Sequence, residues 1–417
     1  MMKNITIAIC LSLLSLSNLN AQTEKSINQF NLEMTEKMLE KYGSEFASLE
    51  HKNMGDLVQL HLAFRNSDNG LIKLTLSNGI KVTYGEIVMY AGDMFGNPSK
   101  SISSCAVQNR MECFRAQFEA MAIEGNVKDG RCLNPINQAK SIKLYMKQVE
   151  KELDESRKEG LADWVYYDQN DLELSKKMNT LTCGGSFISS FIPYGNYIKL
   201  AQVNFDHFAP DSLVAYKVGH RYALETAVKG FDKAKNGHVD EANKLLEMAY
   251  AQNAFANHYL SDSFSAGHMR VPRRAIDRGV HLPAALNLLI ANLMHNEDNK
   301  NGLNVVNAEG TSWVAYGDGY LYKPEAQLHQ SILLNAMQRS ADGIYTAFLT
   351  GIIPDTYPEM SLLPDYSKIE QLDQTSPLFK VVDGIVLKRV KNDDIHDYHW
   401  TKYWTGIATL IQFKVGS

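Results

Sequence analysis

Apolar residues recur at a helical period along most of this chain. The period predicts helices over about 24–65, 85–95, 106–124, 134–157, 212–236, 239–265 and 324–349, and a further helix that ends near His295. The apolar runs at 71–76 and 80–84 differ, because they flank Ser77-Asn78-Gly79, and an Asn-Gly turn between two short apolar runs predicts a β-hairpin. The chain is therefore predicted to be mainly α, with a small β-hairpin in its N-terminal part.

The first residues have the pattern of an export signal. Lys3 gives a positive start, the run from Ile5 to Leu16 is apolar, and Ala21 offers a small residue at a cleavage position. The apolar run is shorter than the roughly 20 residues that a membrane-spanning helix needs. We expect cleavage near Ala21 and a secreted or periplasmic location for the mature chain.

The rest of the chain is expected to divide into three parts. Residues 22–190 form an N-terminal helical region with the hairpin, 191–350 a metal-binding helical core, and 351–417, which is interrupted by prolines, an irregular C-terminal region. Apolar residues make up 45% and charged residues 21% of the 417 residues, which is typical of a packed globular core. The formal net charge of −5 provides no general attraction to nucleic acid.

Export also changes the interpretation of the cysteines. Beyond the expected leader the chain has Cys105, Cys113, Cys132 and Cys183, and their spacing lacks the paired C-x-x-C of a thiolate zinc site. In an oxidising compartment this even number favours two disulfides, for which three connectivities remain open. We expect Cys183 to tie the 105–132 stretch to the element that follows.

The segment from Asn257 to His268 is the most informative about chemistry. His258 and Asp262 are four residues apart, so they project from one face of the predicted helix. His268 can join them only if the helix stops first, and Gly267 is placed to stop it. Imidazole and carboxylate groups together suit zinc. The alternative is that His258 is a core histidine bonded to a neighbouring carbonyl or carboxylate.

A second motif, D-H-F-A-P-D, contains His207 and lies some fifty residues upstream of His258. Together with the pattern H-x-x-x-D-x-x-x-x-x-H that ends at His268, it resembles the zinc-dependent phospholipase C / P1 nuclease superfamily over about residues 195–300. The resemblance implies a multi-helix bundle of that family, here with an N-terminal helical extension. It also implies that His207, His258 and Asp262 bind paired zinc ions, with Asp262 between them, and that His268 binds a further ion.

The resemblance also implies a later histidine with a carboxylate one helical turn beyond it. His281 is near the expected position, but Ala285, four residues on, cannot ligate a metal. His295 is the better candidate, with Asp298 on the same helix face at i+3. The alternative for Asp298 is that it caps or solvates the following Asn-Gly turn.

Two further features of the family have no direct counterpart in this chain. Family members begin with Trp, whose terminal amine and carbonyl bind one zinc beside a nearby histidine, whereas this chain is expected to begin at Gln22. Other residues of the N-terminal part must then complete that site, or the ion is absent. Asp93 is a candidate replacement for a missing aspartate ligand, or a free general base, and otherwise a residue at a helix C-terminus. His51 and His61 are weaker candidates.

Two other features have both a functional and a structural interpretation, and a third has only a structural one. Arg270 and Arg273 follow His268 and would bind substrate by holding a phosphate in bidentate bonds, or would serve a cationic helix end. His220 either orients a metal ligand or is a buried structural residue. The glycine-flanked sequence from Tyr316 to Tyr320 is expected to be a turn.

We therefore expect a zinc-dependent phosphoric diester hydrolase, similar to phospholipase C, with two or three zinc ions and a metal-activated water. Its expected substrate is a phospholipid or a small phosphodiester, with peripheral contact to a membrane surface. A single-strand nuclease is one alternative, which would need an aromatic pocket for bases and a basic groove. The other is a non-catalytic secreted helical protein with a structural zinc.

Overall fold

The computed structural model describes residues 48–62, 67–68, 71–122, 135–184, 195–279, 284–372 and 374–404. The expected leader with Ala21, and also Cys132 and His281, lie outside these residues. The described chain is mainly helical, with small antiparallel sheets, which confirms the predicted fold class. Among the described helices, none is both long and apolar enough to cross a bilayer.

The N-terminal part consists of helices around a small sheet. Its elements are α1 (Ser48–Asp56), β1 (Ser67–Asp68), β2 (Leu71–Thr75), β3 (Lys81–Thr83), α2 (Tyr84–Tyr90), α3 (Arg110–Ala122), α4 (Pro135–Lys158) and α5 (Asp163–Leu181). Helix α1 ends well before the predicted residue 65, because the N–H groups of Leu57 and Val58 turn back to Met54 and Gly55 in tight turns.

The predicted hairpin is present, and it leads directly into a helix. Strands β2 and β3 pair antiparallel, with Lys73 opposite Thr83, and Gly79 in the connecting turn has a φ of +82° that suits glycine. The strand run ends at Thr83 because this residue caps α2. The Thr83 hydroxyl accepts the N–H of Glu86, and the Glu86 carboxylate accepts the N–H of Thr83.

The centre of the fold is an antiparallel pair of long helices, α7 and α8, crossed by a third, α12. The elements in this part are α6 (Asn196–Gln202), α7 (Asp211–Lys235), α8 (Val239–Asp262), α9 (Ala266–Met269), α10 (Arg273–Gly279), α11 (Ala284–Asn301), β4 (Leu303–Val306), β5 (Ser312–Ala315) and α12 (Gln327–Thr350). Every residue of α8 from Ala249 to Asp262 is buried, so its C-terminal half forms the axis of the interior.

The C-terminal part, predicted to be irregular, contains a short helix and a three-stranded antiparallel sheet. Its elements are α13 (Ile369–Leu372), β6 (Phe379–Val382), β7 (Ile385–Arg389) and β8 (Trp400–Thr401). A small apolar cluster that includes Phe208, Met294 and Phe379 packs this sheet against α10 and α11.

One large apolar cluster extends from Leu49 to Ile369, so the N-terminal helices and the central helices share one interior. A disulfide joins Cys105 to Cys113, just before and within α3, and Cys183 is also disulfide-bonded. The first of these disulfides closes a short loop that directly follows the segment of Ile102 and Ser103.

Candidate metal centre

The centre is built around the C-terminal end of α8, where His258 and Asp262 share one face. His258 is fully buried, and its Nδ1 donates to the carbonyl oxygen of Val88 over 2.9 Å. That carbonyl is accessible because the N–H of Gly92, its usual helical partner, bonds to Phe95 instead. With the proton on Nδ1, the Nε2 lone pair of His258 faces the Asp262 carboxylate at 3.3 Å.

His268 returns to this face through a short helix. Helix α8 ends at Asp262, where the next carbonyl, that of Ser263, accepts the Tyr366 hydroxyl. Gly267 therefore does not stop α8 as predicted but lies inside α9, where a Cβ would be 2.6 Å from the carbonyl oxygen of His295. The His268 Nδ1 then lies 3.5 Å from the Asp262 carboxylate.

His207 enters from a 3-10 turn that its neighbour fixes. The buried Asp206 carboxylate accepts the N–H groups of Ile102 and Ser103 over 2.5 and 2.9 Å. Nδ1 of His207 then lies 3.0 Å from the Asp262 carboxylate and 3.1 Å from Nε2 of His258. Two imidazole nitrogens and a carboxylate oxygen thus meet in one small volume.

Asp93 lies at the same point, after α2 has ended. Its carboxylate oxygens lie 3.9 Å from His207 Nδ1 and 4.0 Å from His258 Nε2. The preceding Gly92 has a φ of +73°, and a Cβ there would come within 2.9 Å of the His207 ring. Burial raises the pKa of Asp93 to about 6.

Two residues to which the sequence analysis gives little or no role in metal binding, His51 and Asp318, also lie in this arrangement. The Ser261 hydroxyl donates to the carbonyl of His258, so it accepts the Nδ1 proton of His51 at 2.8 Å. The Nε2 lone pair of His51 consequently faces Asp262 at 3.6 Å and Asp318 at 3.7 Å. From the sequence, His51 is only a weaker candidate ligand, and the segment around Asp318 is expected to be only a turn.

The sequence does contain a signal for Asp318, namely the glycines on either side of it. A Cβ at Gly317 would lie 1.7 Å from the Asn299 side chain, and Gly319 has a φ of +84°. Glycine is thus required at both positions by close approach and backbone conformation. A turn held so tightly places the intervening carboxylate at a fixed position, with its Oδ2 2.8 Å from Nε2 of His295.

The structure does not bring Asp298 to the centre, although the sequence placed it there with His295. Asp298 instead holds Arg270 in a bidentate pair, with N···O distances of 2.9 and 2.6 Å, and Arg270 also bonds to Thr375. Arg273 is buried, donates to Asn204 and packs over an aromatic ring. The two arginines predicted to bind substrate thus have contacts within the protein.

The other two histidines considered from the sequence lie outside the centre. His220 is buried against Asn253, which matches the structural interpretation rather than the orientation of a ligand. His61 is about half exposed, stacks on Tyr345 and approaches Asp342 at 3.8 Å.

Among the residues that the structure describes, three groups of side chains could each hold a metal ion: His51 with His258 and Asp262, Asp93 with His207 and His258, and His268 with His295 and Asp318. The best test of this fit is Asp262. Its carboxylate is 1% exposed, lies within 3.0–3.6 Å of four imidazoles, and has no hydrogen bond of good geometry among the described residues. A buried carboxylate in that state is unfavourable without a cation. The donor set of nitrogen and oxygen atoms suits a divalent transition metal.

The electrostatics of the centre also favour metal binding. Burial lowers the pKa of His258 to about 3 and that of His268 to about 4, so both are neutral, which is the form that binds metals. Burial would raise the pKa of Asp262, but the surrounding imidazoles hold it well below its usual range. Burial would lower the pKa of His207, yet Asp262 raises it to about 9. A bound cation would compete with the proton on that ring.

Comparisons with models of protein families, with curated proteins and with solved structures find no match to this chain. The function must therefore be argued from the centre itself and from the sequence motifs that form it.

Proposed function

We propose that this chain is an exported zinc-dependent phosphoric diester hydrolase that acts on a phospholipid or a small phosphodiester. The observation that carries the proposal is the buried Asp262 carboxylate, which lies among four imidazoles with Asp93 and Asp318 beside them. Imidazole and carboxylate ligands without thiolates are typical of catalytic zinc. Several adjacent cation sites favour a substrate with concentrated negative charge, such as a phosphodiester.

Residues of the chain orient the histidine rings of the centre and accept the proton that the attacking water releases. Bound zinc would lower the pKa of a coordinated water and neutralise charge on the phosphoryl oxygens. Val88 and Ser261 hold the His258 and His51 rings in the tautomers that turn Nε2 towards Asp262. Asp93 has the most exposed side chain of the three carboxylates, 29%, and we assign to it the acceptance of a proton from the attacking water.

Two properties of the chain support the location and the substrate class. The disulfide between Cys105 and Cys113 is compatible with an oxidising compartment, in agreement with the expected leader. The net charge of −5 is unfavourable for general binding to nucleic acid and therefore favours a lipid or a small phosphodiester.

The proposal is tested by elemental analysis of the purified full chain, alongside the variants His258→Ala and Asp262→Asn. His238→Ala is the matched control, because this histidine is about half exposed at the opposite end of α8. We expect two or three zinc ions per chain, fewer in both test variants, and an unchanged content in the control. Hydrolysis is then compared on phosphatidylcholine vesicles, a chromogenic choline phosphodiester and single-stranded DNA.

Each result has a definite meaning. Zinc-dependent hydrolysis of the first two substrates supports the proposal, whereas hydrolysis of DNA alone supports the nuclease instead. A zinc content that neither substitution changes would show that this centre does not bind the metal. Zinc binding without hydrolysis of any phosphodiester would support the alternative of a non-catalytic protein with a structural zinc. Asp93→Asn separates two roles, because a general base affects turnover at unchanged zinc content.

A further inference from the structure

The two oxygens of the Asp318 carboxylate face different histidines. Oδ2 lies 2.8 Å from Nε2 of His295 and 3.9 Å from Nε2 of His268, and Oδ1 lies 3.7 Å from Nε2 of His51. One side chain therefore lies between the His268 and His295 group and the group that contains His51 and Asp262. The Asp262 carboxylate likewise lies between the two groups that share His258, since one of its oxygens faces His51 and the other faces His207.

The rings of His51 and His295 are both directed at Asp318 by the contacts around them. The Nδ1 proton of His51 is used by Ser261, so its Nε2 lone pair faces the carboxylate. Nδ1 of His295 lies 3.0 Å from the side-chain oxygen of Asn296, and its Nε2 lies 2.8 Å from Oδ2 of Asp318 and 3.1 Å from the Asn299 amide nitrogen. A metal ion at this position would replace the proton between His295 and Asp318.

The position of Asp318 is fixed by the helix that supplies His51. Glu50, the residue before it, is buried, and its two oxygens accept the N–H groups of Gly319 and Leu321 over 3.1 Å each. The same turn of α1 thus provides one ligand and holds the loop that provides the other. Such a coupled arrangement is expected of residues that serve one site.

We propose that Asp318 is a second shared carboxylate, which ligates the ion at His51 with one oxygen and the ion at His268 and His295 with the other. The proposal rests on the metal dependence proposed above. It couples zinc binding at these two positions, because the turn fixes only the backbone at Asp318, and the first ion to bind fixes the orientation of its carboxylate for the second. A coupling between adjacent sites is typically roughly 5- to 150-fold in affinity.

The test is the zinc content of the full chain after stripping with a chelator and reloading. His51→Ala and His295→Ala should each lower the content by one ion, and Asp318→Asn should lower it by two. Asp342→Asn, a half-exposed aspartate outside the centre, is the matched control and should leave the content unchanged. A loss of one ion or none in Asp318→Asn overturns the proposal.

A second measurement covers the case in which Asp318→Asn does not fold. In His51→Ala, the zinc at His268 and His295 should dissociate to a chelating indicator about tenfold faster than in the unaltered chain. An unchanged rate means that the two positions are independent and the shared ligand is wrong. The two proposals can fail separately. A chain that shows this coupling but hydrolyses no phosphodiester would support Asp318 as a shared ligand and contradict only the proposed activity.

Discussion

A buried ion pair fastens the C-terminal sheet to the helix that carries His295. Arg389 of β7 is fully buried, and its guanidinium donates to both carboxylate oxygens of Glu297 over 3.0 and 2.5 Å. It also donates to the carbonyls of Ser376 and Lys391. Since Glu297 lies two residues after His295 on α11, we expect this pair to contribute strongly to the position of that helix.

The substitution Arg389→Met removes the pair and retains most of the aliphatic volume. The Glu297 carboxylate would then remain with only 16% of its side chain exposed, and removing one partner of a buried pair costs about 3–5 kcal/mol. Burial already raises the pKa of Glu297, and Arg389 opposes this. In the variant the raised pKa means that the folded chain binds more protons than the unfolded chain. Its loss of stability should therefore be smaller at pH 5 than at pH 8.

The assay is urea unfolding followed by circular dichroism, with the midpoint and the slope compared between variants. Lys391→Met is the control, because Lys391 is 70% exposed and its pair with Asp394 should contribute less than about 1 kcal/mol. Adding Glu297→Gln to Arg389→Met should recover roughly 0.5–3 kcal/mol, since the unpaired charge is removed. A loss below 1 kcal/mol in Arg389→Met, or strict additivity in the double variant, would refute the reasoning.

Three further predictions test the surroundings of the centre. Replacing Cys105 and Cys113 by serine opens a loop with a separation of 8 residues and should cost about 2.5 kcal/mol in urea unfolding, whereas equal stability of both forms would contradict it. Gly92→Ala should lower the free energy of unfolding by roughly 1–2 kcal/mol, because residue 92 has a positive φ. It should also lower the zinc content, because the new Cβ displaces the His207 ring, and an unchanged zinc content would contradict this. Burial lowers the pKa of His220, so the folded chain binds fewer protons than the unfolded chain does. Stability should therefore decrease as the pH is lowered below about 6.5, by up to about 1.4 kcal/mol per pH unit. His220→Asn should show a weaker decline between pH 7 and pH 5, and an identical decline would show that another group is responsible.

The fold was predictable where a local signal, such as a helical period of apolar residues or a turn motif, defines the element. The helices predicted over 212–236, 239–265 and 324–349 correspond to α7, α8 and α12, and the Asn-Gly hairpin is present. The sheet of β6, β7 and β8 was not predicted, because Lys388 and Arg389 are charged residues at buried positions. Their burial depends on partners elsewhere in the fold, and no local alternation of polar and apolar residues reveals it.

From spacing alone the centre was predictable only where its residues are close in sequence, whereas His207, His295 and Asp93 were reached through the family resemblance. The spacing of His258, Asp262 and His268 brings them together through one helix and one turn. The rule for a shared helix face then selected Asp298 beside His295, although the face of α11 that meets α9 carries Asn299, which accepts the N–H of Gly267. A periodic pattern shows which residues share a face, but not which neighbour that face contacts.

The centre takes its residues from the N-terminal helices as well as from the central ones, so the N-terminal region is integral to it. His51 comes from α1, and both Asp93 and the carbonyl that orients His258 come from α2 or the turn after it. These helices share one apolar interior with the central helices, so the region 191–350 alone would lack one ligand from two of the three groups. Since His51 is an internal residue, the candidate ligand that it supplies is an imidazole rather than a terminal amine. Ser261 fixes the tautomer of His51, and Glu50 on the same helix accepts an N–H group of the loop that carries Asp318. The folded interior therefore sets the position of the His51 ring.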